Sequence, residues 1–167
     1  MATAILGGGC FWCTEAAYKQ LEGINEVTTG YAGGHTDKPN YRQVCTGDTG
    51  HAEVIKIEFD PEKISYEKIL KFFFRIHNPT TKDRQGPDVG SQYRSIILYT
   101  SENQKKIAEG FLEEKQSEYE DEIVTEVKEL DKFWEAEEKH QNYFEKNPED
   151  AYCTMHAAPK VEEAREF

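Results

Sequence analysis

The sequence predicts an α+β two-layer sandwich with a ferredoxin-like split βαβ core and a mixed sheet. Two observations lead to this fold class. Segments with strand and helix patterns follow the order strand, helix, strand, strand, helix, strand, and no internal repeat or low-complexity linker divides the 167 residues. We therefore expect a single domain over residues 1–167, with added helices and an irregular C-terminal tail at about 147–167.

The first two elements surround a glycine run. Ala2–Leu6 is a short apolar segment typical of a buried strand, and it ends in Gly7-Gly8-Gly9. Apolar residues then recur with helical spacing over Phe11–Leu21, up to Gly23. Cys10 is therefore predicted at a junction between a strand and a helix.

The middle of the chain continues the pattern. Ile24–Tyr31 is compatible with a second strand, and Ala52–Phe59 alternates apolar and polar residues as a third strand, which ends at Asp60-Pro61. Ser65 has the side chain of a helix N-cap and precedes an apolar-striped helix that continues through Ile76.

The second half contains two more strands, two more helices and a long loop. A loop is predicted at 78–90 and another earlier, at 30–40, and long loops in a compact domain tend to carry function. The predicted elements are a strand at Arg94–Thr100, a helix from Ser101 to about Gln116, a strand at Ile123–Leu130 and a helix at Glu135–Lys146.

Composition excludes several classes of partner. The formal net charge of -12 opposes binding to nucleic acid and to anionic lipid surfaces. No stretch approaches the roughly 20 apolar residues of a membrane span, and the N-terminus lacks the basic and apolar regions of a secretory signal. We expect a cytoplasmic protein, monomeric by default.

Cys10 is the first candidate for chemistry. In a reducing compartment, cysteines are more often catalytic or metal-binding than bridged. A helix start favours an anion, so we expect the pKa of the Cys10 thiol to fall by about one, or further with an added hydrogen-bond donor. Cys10 would then be a nucleophile, whereas Cys45 is predicted to be a buried structural residue.

Cys10 and Cys13 form a CxxC pair, which is open to more than one interpretation. The spacing permits a disulfide and fits a general disulfide oxidoreductase. A zinc or sensor site would need further ligands, yet neither Cys45 nor Cys153 belongs to another CxxC and the histidines lack ligand spacing. We therefore predict no metal site.

Six motifs in one order carry a resemblance to a known family, over Ala4 to about Pro148. They are Gly-Cys-Phe-Trp at 9–12, Gly-Tyr-Ala-Gly-Gly at 30–34, Tyr-Arg at 41–42, Thr-Gly-His-Ala-Glu at 49–53, Asp-Val-Gly-Ser-Gln-Tyr-Arg-Ser at 88–95 and His-Gln at 140–141. In order and spacing they resemble the A-type peptide methionine sulfoxide reductases. His51, beside Glu53, is interpreted as a turn or packing residue.

The resemblance implies a role for each of several residues. Cys10 would attack the sulfoxide sulfur, Phe11 and Trp12 would hold the substrate methyl group, and Glu53 would be the catalytic acid. Glu53 can donate a proton near pH 7 only if burial raises its pKa. Tyr41 and Tyr93 would donate hydrogen bonds to the sulfoxide oxygen, and Asp88 would help to organise the substrate site.

The resemblance also implies how the enzyme is reset. Attack leaves a sulfenic acid on Cys10, which a resolving thiol converts to a disulfide that an external reductant such as thioredoxin reduces, without a bound cofactor. Many relatives have glycine at the position of Cys13 and use cysteines in a glycine-rich tail. Here Cys13 is expected to resolve first and Cys153 to pass the disulfide outward, and the alternative is that Cys153 resolves first if the tail folds over the site. The implied substrate is the S epimer of methionine sulfoxide, free or in proteins.

Overall fold

The computed structural model describes all residues, 1–167. Its eight strands are β1 (Ala2–Gly7), β2 (Ile24–Ala32), β3 (Ala52–Phe59), β4 (Arg84–Gln85), β5 (Asp88–Val89), β6 (Ile96–Tyr99), β7 (Glu126–Glu129) and β8 (Phe133–Glu135). Its seven α-helices are α1 (Phe11–Tyr18), α2 (Tyr41–Cys45), α3 (Tyr66–Ile76), α4 (Glu102–Gln116), α5 (Tyr143–Lys146), α6 (Ala151–His156) and α7 (Ala158–Glu166).

Six strands form one sheet in the order β7-β6-β1-β3-β2-β8. The four central strands, β6, β1, β3 and β2, pair antiparallel, which is the strand order of a split βαβ core. At the edges, β7 joins β6 in parallel and β8 joins β2 antiparallel, so that the sheet is mixed. The predicted fold class is confirmed.

Local signals explain where the larger helices begin. The hydroxyl oxygen of Ser65 accepts a hydrogen bond from the Lys68 N–H at the start of α3, as predicted, and Ser101 caps α4 in the same way through Gln104. The ends are less well predicted, since α1 ends at Tyr18 rather than Leu21. Helix boundaries are the least reliable part of a sequence prediction because the last turn depends on its surroundings.

Strand β3 has its two faces in different hydrophobic clusters. Ile55 and Ile57 belong to the main core with the phenylalanines of α3, whereas Ala52 and Val54 belong to a smaller cluster. Successive side chains of a strand point to opposite faces, so Glu53 lies in the row of Ile55 and Ile57. The register of β3 therefore directs a carboxyl group towards the main core.

The predicted late helix at Glu135–Lys146 is wrong. The segment contains the end of β8, a 3-10 turn at Glu138–His140 and the single-turn helix α5. The Gln141 side chain accepts a hydrogen bond from the Thr29 N–H and donates one to the Thr29 carbonyl, each at 3.0 Å. These bonds hold the segment along β2, and tertiary contacts outweigh its helical pattern.

The predicted irregular tail is also wrong, because the chain ends in α6 and α7. The Asp150 carboxylate caps α6 by accepting a hydrogen bond from the Cys153 N–H at 3.2 Å. Cys153 and Val161 are buried in a cluster with Cys10 and Cys13 of α1. The C-terminal helices therefore pack directly on the helix that begins at the candidate nucleophile.

None of the helices combines the length and the apolar composition that crossing a membrane requires.

Candidate active site

Cys10 is the N-cap residue of α1, with extended backbone angles, and its exposed fraction is 7%. The preceding Gly9 has a φ of +85°, a conformation that favours glycine, and its N–H donates to the Tyr93 carbonyl at 3.1 Å. A Cβ atom on Gly7 would lie 2.4 Å from the Glu53 carbonyl oxygen. The glycine run thus allows close packing of the chain on itself at the start of α1.

The Cys10 and Cys13 thiols are free and hydrogen-bonded to each other. Burial, followed by the Cys13 hydrogen bond and the Glu53 charge, raises the pKa of Cys10 well above its usual range. The hydrogen bond from Cys10 lowers the pKa of Cys13. The predicted fall in the Cys10 pKa is therefore wrong, since burial outweighs the helix start, and Cys13 is the thiol of the pair that ionises more readily.

Glu53 lies beside this pair with an exposed fraction of only 1%. Its Oε1 accepts a hydrogen bond from the Phe11 N–H at 3.1 Å, while its buried Oε2 has no hydrogen-bond partner. Burial raises the pKa of Glu53 to about 8, and the bond from Phe11 only partly opposes this shift. The carboxyl group is therefore protonated at neutral pH, as an acid in this position requires.

Phe11 and Trp12 form an aromatic wall next to the thiols. The Trp12 indole N–H donates to His140 Nδ1 at 3.1 Å, and the Tyr143 ring stacks on the indole with centroids 3.7 Å apart. Phe11 is fully buried and its ring lies against Tyr41 at 6.2 Å. The structure thus places Phe11 and Trp12, the two predicted pocket residues, side by side. The C-terminal part of the chain holds the Trp12 ring in place through His140 and Tyr143.

Tyr41 and Tyr93 approach Glu53 from separate elements. Tyr41 begins α2, which the sequence did not predict, and its N–H donates to the Glu137 carboxylate at 3.0 Å. Tyr93 ends the 3-10 turn at Ser91–Tyr93. Burial, with the Glu53 charge as the second cause, raises the pKa of both hydroxyl groups. Both remain protonated and can donate hydrogen bonds at any physiological pH.

Asp88 lies in the β4–β5 hairpin, where its carboxylate accepts a hydrogen bond from the Tyr152 hydroxyl of α6. This contact joins the hairpin to the C-terminal helices. Next to Tyr152, Cys153 is fully buried, and burial raises the pKa of its thiol to about 12. The structure therefore gathers Cys10, Cys13 and Cys153 in one cluster.

Cys45 lies outside this cluster. It is the last residue of α2 and its side chain is exposed, so the prediction of a buried structural cysteine is wrong. His51 is buried in the loop directly before β3, where its ring nitrogens bond the Gly34 N–H and the Thr36 carbonyl. Its predicted packing role is confirmed.

Three residues of the site were missed by the sequence analysis: His140, Tyr143 and Tyr152. His140 belongs to a quoted motif, but nothing in the sequence indicated a bond to Trp12, 128 residues away. Tyr143 and Tyr152 lie in segments whose structure was mispredicted. No three His, Cys, Asp or Glu side chains are grouped so that they could hold a metal ion.

Taken chemically, the site combines a nucleophile with an acid and hydrogen-bond donors. In its ionised form Glu53 raises the pKa of Cys10, Tyr41 and Tyr93, which places the four groups within electrostatic reach of one another. A thiol, a protonated carboxyl group and two phenol hydroxyls can attack an electron-poor atom while an attached oxygen gains charge and protons.

Comparison with known proteins identifies the family. The model of the family "Peptide methionine sulfoxide reductase" matches residues 2–167. The peptide methionine sulfoxide reductase MsrA of Natronomonas pharaonis is 59% identical over 167 residues, which cover 99% of this chain and 94% of the relative.

Solved structures agree with the sequence comparison. The crystal structure of Mxr1 from Saccharomyces cerevisiae in reduced form is 38% identical, with a TM-score of 0.87, covering 93% of this chain and 90% of that one. Mxr1 in complex with Trx2 is 26% identical, with a TM-score of 0.61, covering 85% and 84%. The chain therefore belongs to the peptide methionine sulfoxide reductase family, an enzyme family, as its motifs predicted.

Proposed function

We propose that Cys10 reduces methionine S-sulfoxide by direct attack on the sulfoxide sulfur, with Glu53 as the acid. Membership of the family makes the chain a thiol-dependent methionine sulfoxide reductase, and the residue roles are our assignment. The observation that carries this assignment is the hydrogen bond from the Phe11 N–H to Glu53, which ties a protonated carboxyl group to the residue after Cys10.

The first step transfers oxygen from the substrate to Cys10. The Cys10 sulfur attacks while the Cys13 thiolate takes its proton, since the two groups already share a hydrogen bond. Glu53 gives its proton to the sulfoxide oxygen, the S–O bond to the substrate breaks, and the oxygen ends on Cys10 as a sulfenic acid. Methionine leaves with two more electrons, Cys13 is a thiol and Glu53 is ionised.

The pocket orients the sulfoxide for this attack. Phe11 and Trp12 supply an apolar surface for the methyl group, and the Tyr41 and Tyr93 hydroxyls donate to the oxygen as its negative charge grows. Asp88, joined to Tyr152, organises the side from which the rest of the substrate enters. A site with fixed methyl and oxygen positions selects one epimer at sulfur, and the resemblance assigns the S epimer.

The second step forms a disulfide. The Cys13 thiol condenses with the Cys10 sulfenic acid, releasing water, because these two side chains are already in contact. Cys153 then attacks the Cys13 sulfur, which frees Cys10 and moves the disulfide towards the C-terminal helices. The burial of Cys153 in one cluster with Cys10 and Cys13 supports this order, because the second disulfide forms between neighbouring thiols.

An external dithiol of the thioredoxin class then reduces the disulfide. The capture of Mxr1 with Trx2 supports this partner. All electrons come from thiols, so the proposed cycle needs no bound cofactor. Because one chain supplies every thiol in the cluster, we propose that it works as a monomer, in the reducing environment of the cytoplasm.

Mass-resolved single turnover tests the proposal. Reduced protein is incubated with each methionine sulfoxide epimer without reductant, and the methionine released per chain and the disulfide formed are measured. We expect up to two methionines per chain from the S epimer alone, because the Cys13–Cys153 disulfide leaves Cys10 free for a second attack, and none from Cys10→Ser. Release by Cys10→Ser would contradict the nucleophile, and release from the R epimer would contradict the proposed selectivity.

A further inference from the structure

A cleft of about 560 Å³ reaches the Cys10 side chain from the side where Asp88 and Tyr152 meet. Its walls are the end of α3 with the loop and hairpin that follow it, the segment after α4, helix α6 and the first turn of α7. On the proposed function, the sulfoxide group binds at Cys10, so the remainder of the substrate must extend into neighbouring space. This cleft provides that space.

Charged side chains line the cleft unevenly. Glu120 and Asp121 lie on the segment after α4 and Asp88 lies in the hairpin, whereas α3, α6 and α7 contribute Arg75, His156 and Lys160. Arg75 is neutralised by an ion pair with Glu163 at 3.0 Å, and the His156 ring packs on Tyr152. Lys160 takes part in none of the ion pairs of the chain.

The position of Lys160 in its helix makes an unpaired charge costly. It lies in the first turn of α7, where the helix dipole disfavours a cation. Its side chain is only partly exposed, and its charge acts on Cys13 and His77 at the base of the cleft. An ammonium group that has no carboxylate partner and faces a cleft next to the nucleophile is suited to bind an anion.

We propose that Lys160 binds a carboxylate of the substrate, so that the enzyme prefers oxidised methionine with a carboxylate close to the sulfoxide. Two sources have this chemistry: the α-carboxylate of free or C-terminal methionine sulfoxide, and the side chain of a following acidic residue. The carboxylates of Glu120, Asp121 and Asp88 disfavour an anion elsewhere in the cleft, which directs it to Lys160.

Matched substrates test this inference, which rests on the proposed function. One pair is N-acetyl-methionine S-sulfoxide and its N-methylamide, which differ in the α-carboxylate. The other is the blocked dipeptides with glutamate or glutamine after the sulfoxide. The single-turnover rate constant is measured for each substrate at subsaturating concentration, at low and at high salt. The readout is the rate constant of the substrate that has the carboxylate divided by that of its partner without it.

We expect the ratio in the wild type to be about five to ten at low salt and to fall with added salt. Lys160→Met and Lys160→Gln should bring the ratio near one, whereas Lys160→Arg should retain most of it. Lys106→Met, an exposed lysine of α4 outside the cleft, is the matched control and should keep the wild-type ratio. A preference in only one pair identifies the source of the carboxylate.

Two results would overturn the inference alone. One is a wild-type ratio near one in both pairs. The other is a Lys160→Met protein that is slower by the same factor on both members of a pair, because Lys160 would then act on the thiols rather than on the substrate. If the wild type reduces none of the four substrates, the proposed function itself fails, and the inference fails with it.

Discussion

Glu53 Oε1 lies 3.1 Å from the backbone nitrogen of Phe11 and accepts its hydrogen bond. This single contact links β3 to the first turn of α1 across 42 residues of sequence. The Phe11 N–H is one of the N–H groups that a helix start leaves without a partner. Here it bonds the Glu53 carboxyl group and not the neighbouring Cys10 thiol. The helix start therefore binds the proposed acid, Glu53, and lies next to the proposed nucleophile, Cys10.

The rate of the chemical step should fall as the pH rises through about 8. Burial raises the pKa of Glu53 to about 8, so the proton that it donates is present below that pH and lost above it. The measurement is single-turnover methionine release between pH 6 and 9.5. Ionisation of a thiol alone would make the rate increase over the same range, so an increasing profile would contradict an acid role for Glu53.

Glu53→Gln should be slower by about a hundredfold or more and should lose this decline. The amide can still accept the Phe11 hydrogen bond, so the pocket is retained while the proton is removed. An unchanged rate constant at pH 7 would show that Glu53 donates no proton in the step.

The same substitution should stabilise the fold in alkaline solution. The unfolded carboxyl group ionises near pH 4.5 and the folded one near 8, so the wild type loses unfolding free energy as the pH rises from 4.5 to 8. Below pH 4.5, Glu53 is protonated in both the folded and the unfolded protein, so it no longer lowers the free energy of unfolding. The free energy of unfolding of Glu53→Gln should therefore exceed that of the wild type increasingly over this pH range, by up to roughly 5 kcal/mol above pH 8.

Urea unfolding at pH 4, 6 and 9 measures this gain. Glu58→Gln, on the more exposed part of the same strand, is the matched control and should show no comparable pH-dependent difference from the wild type. An equal difference between Glu53→Gln and the wild type at all three values would mean that ionisation of Glu53 carries no folding penalty.

His140 should hold the Trp12 indole in place for the substrate methyl group. His140→Leu leaves the indole N–H without its acceptor, and we expect KM for the sulfoxide to rise several-fold more than kcat falls. In a Trp134→Phe background, Trp12 gives a single indole N–H resonance, which should shift in His140→Leu. His140→Gln retains an acceptor and should partly restore KM, and an unshifted resonance would contradict the bond.

The order of the thiols should be visible in trapped intermediates. Without reductant, Cys13→Ser should release methionine more slowly, because the proton acceptor of the first step is gone, and should then retain a Cys10 sulfenic acid that reacts with a dimedone probe. Cys153→Ser should instead accumulate a Cys10–Cys13 disulfide and recycle at least tenfold more slowly with thioredoxin. Cys45→Ser, outside the thiol cluster, is the control, and a persistent sulfenic acid in Cys153→Ser would reverse the order.

The sequence contained a signal for Glu53 that is clear only in retrospect. The alternation of β3 places it in the row of Ile55 and Ile57, which are core residues. A carboxyl group in such a row is either at an exposed strand end or functional, and the pattern alone does not separate these cases. The buried position was predicted through the motif resemblance, and the raised pKa followed from burial.

The C-terminal third was predicted least well. Its helices α6 and α7 and the turn at Glu138–His140 are short, and their stability comes from contacts with α1 and β2 rather than from their own propensities. Local pattern analysis therefore assigned a longer helix and an irregular tail. Consequently, the residues that fix Trp12 and Asp88 from this region had no assigned role.

By itself, the sequence determined the order of the core strands and helices, the helix start at Cys10 and the family, because these depend on neighbouring residues and on motifs that are read along the chain. Only the tertiary structure decided that the Cys13 thiol ionises more readily than the Cys10 thiol, that burial raises the pKa of Glu53 to about 8 and that Cys153 is buried beside both thiols. These properties depend on desolvation and on contacts between residues far apart in the chain, which local patterns do not specify.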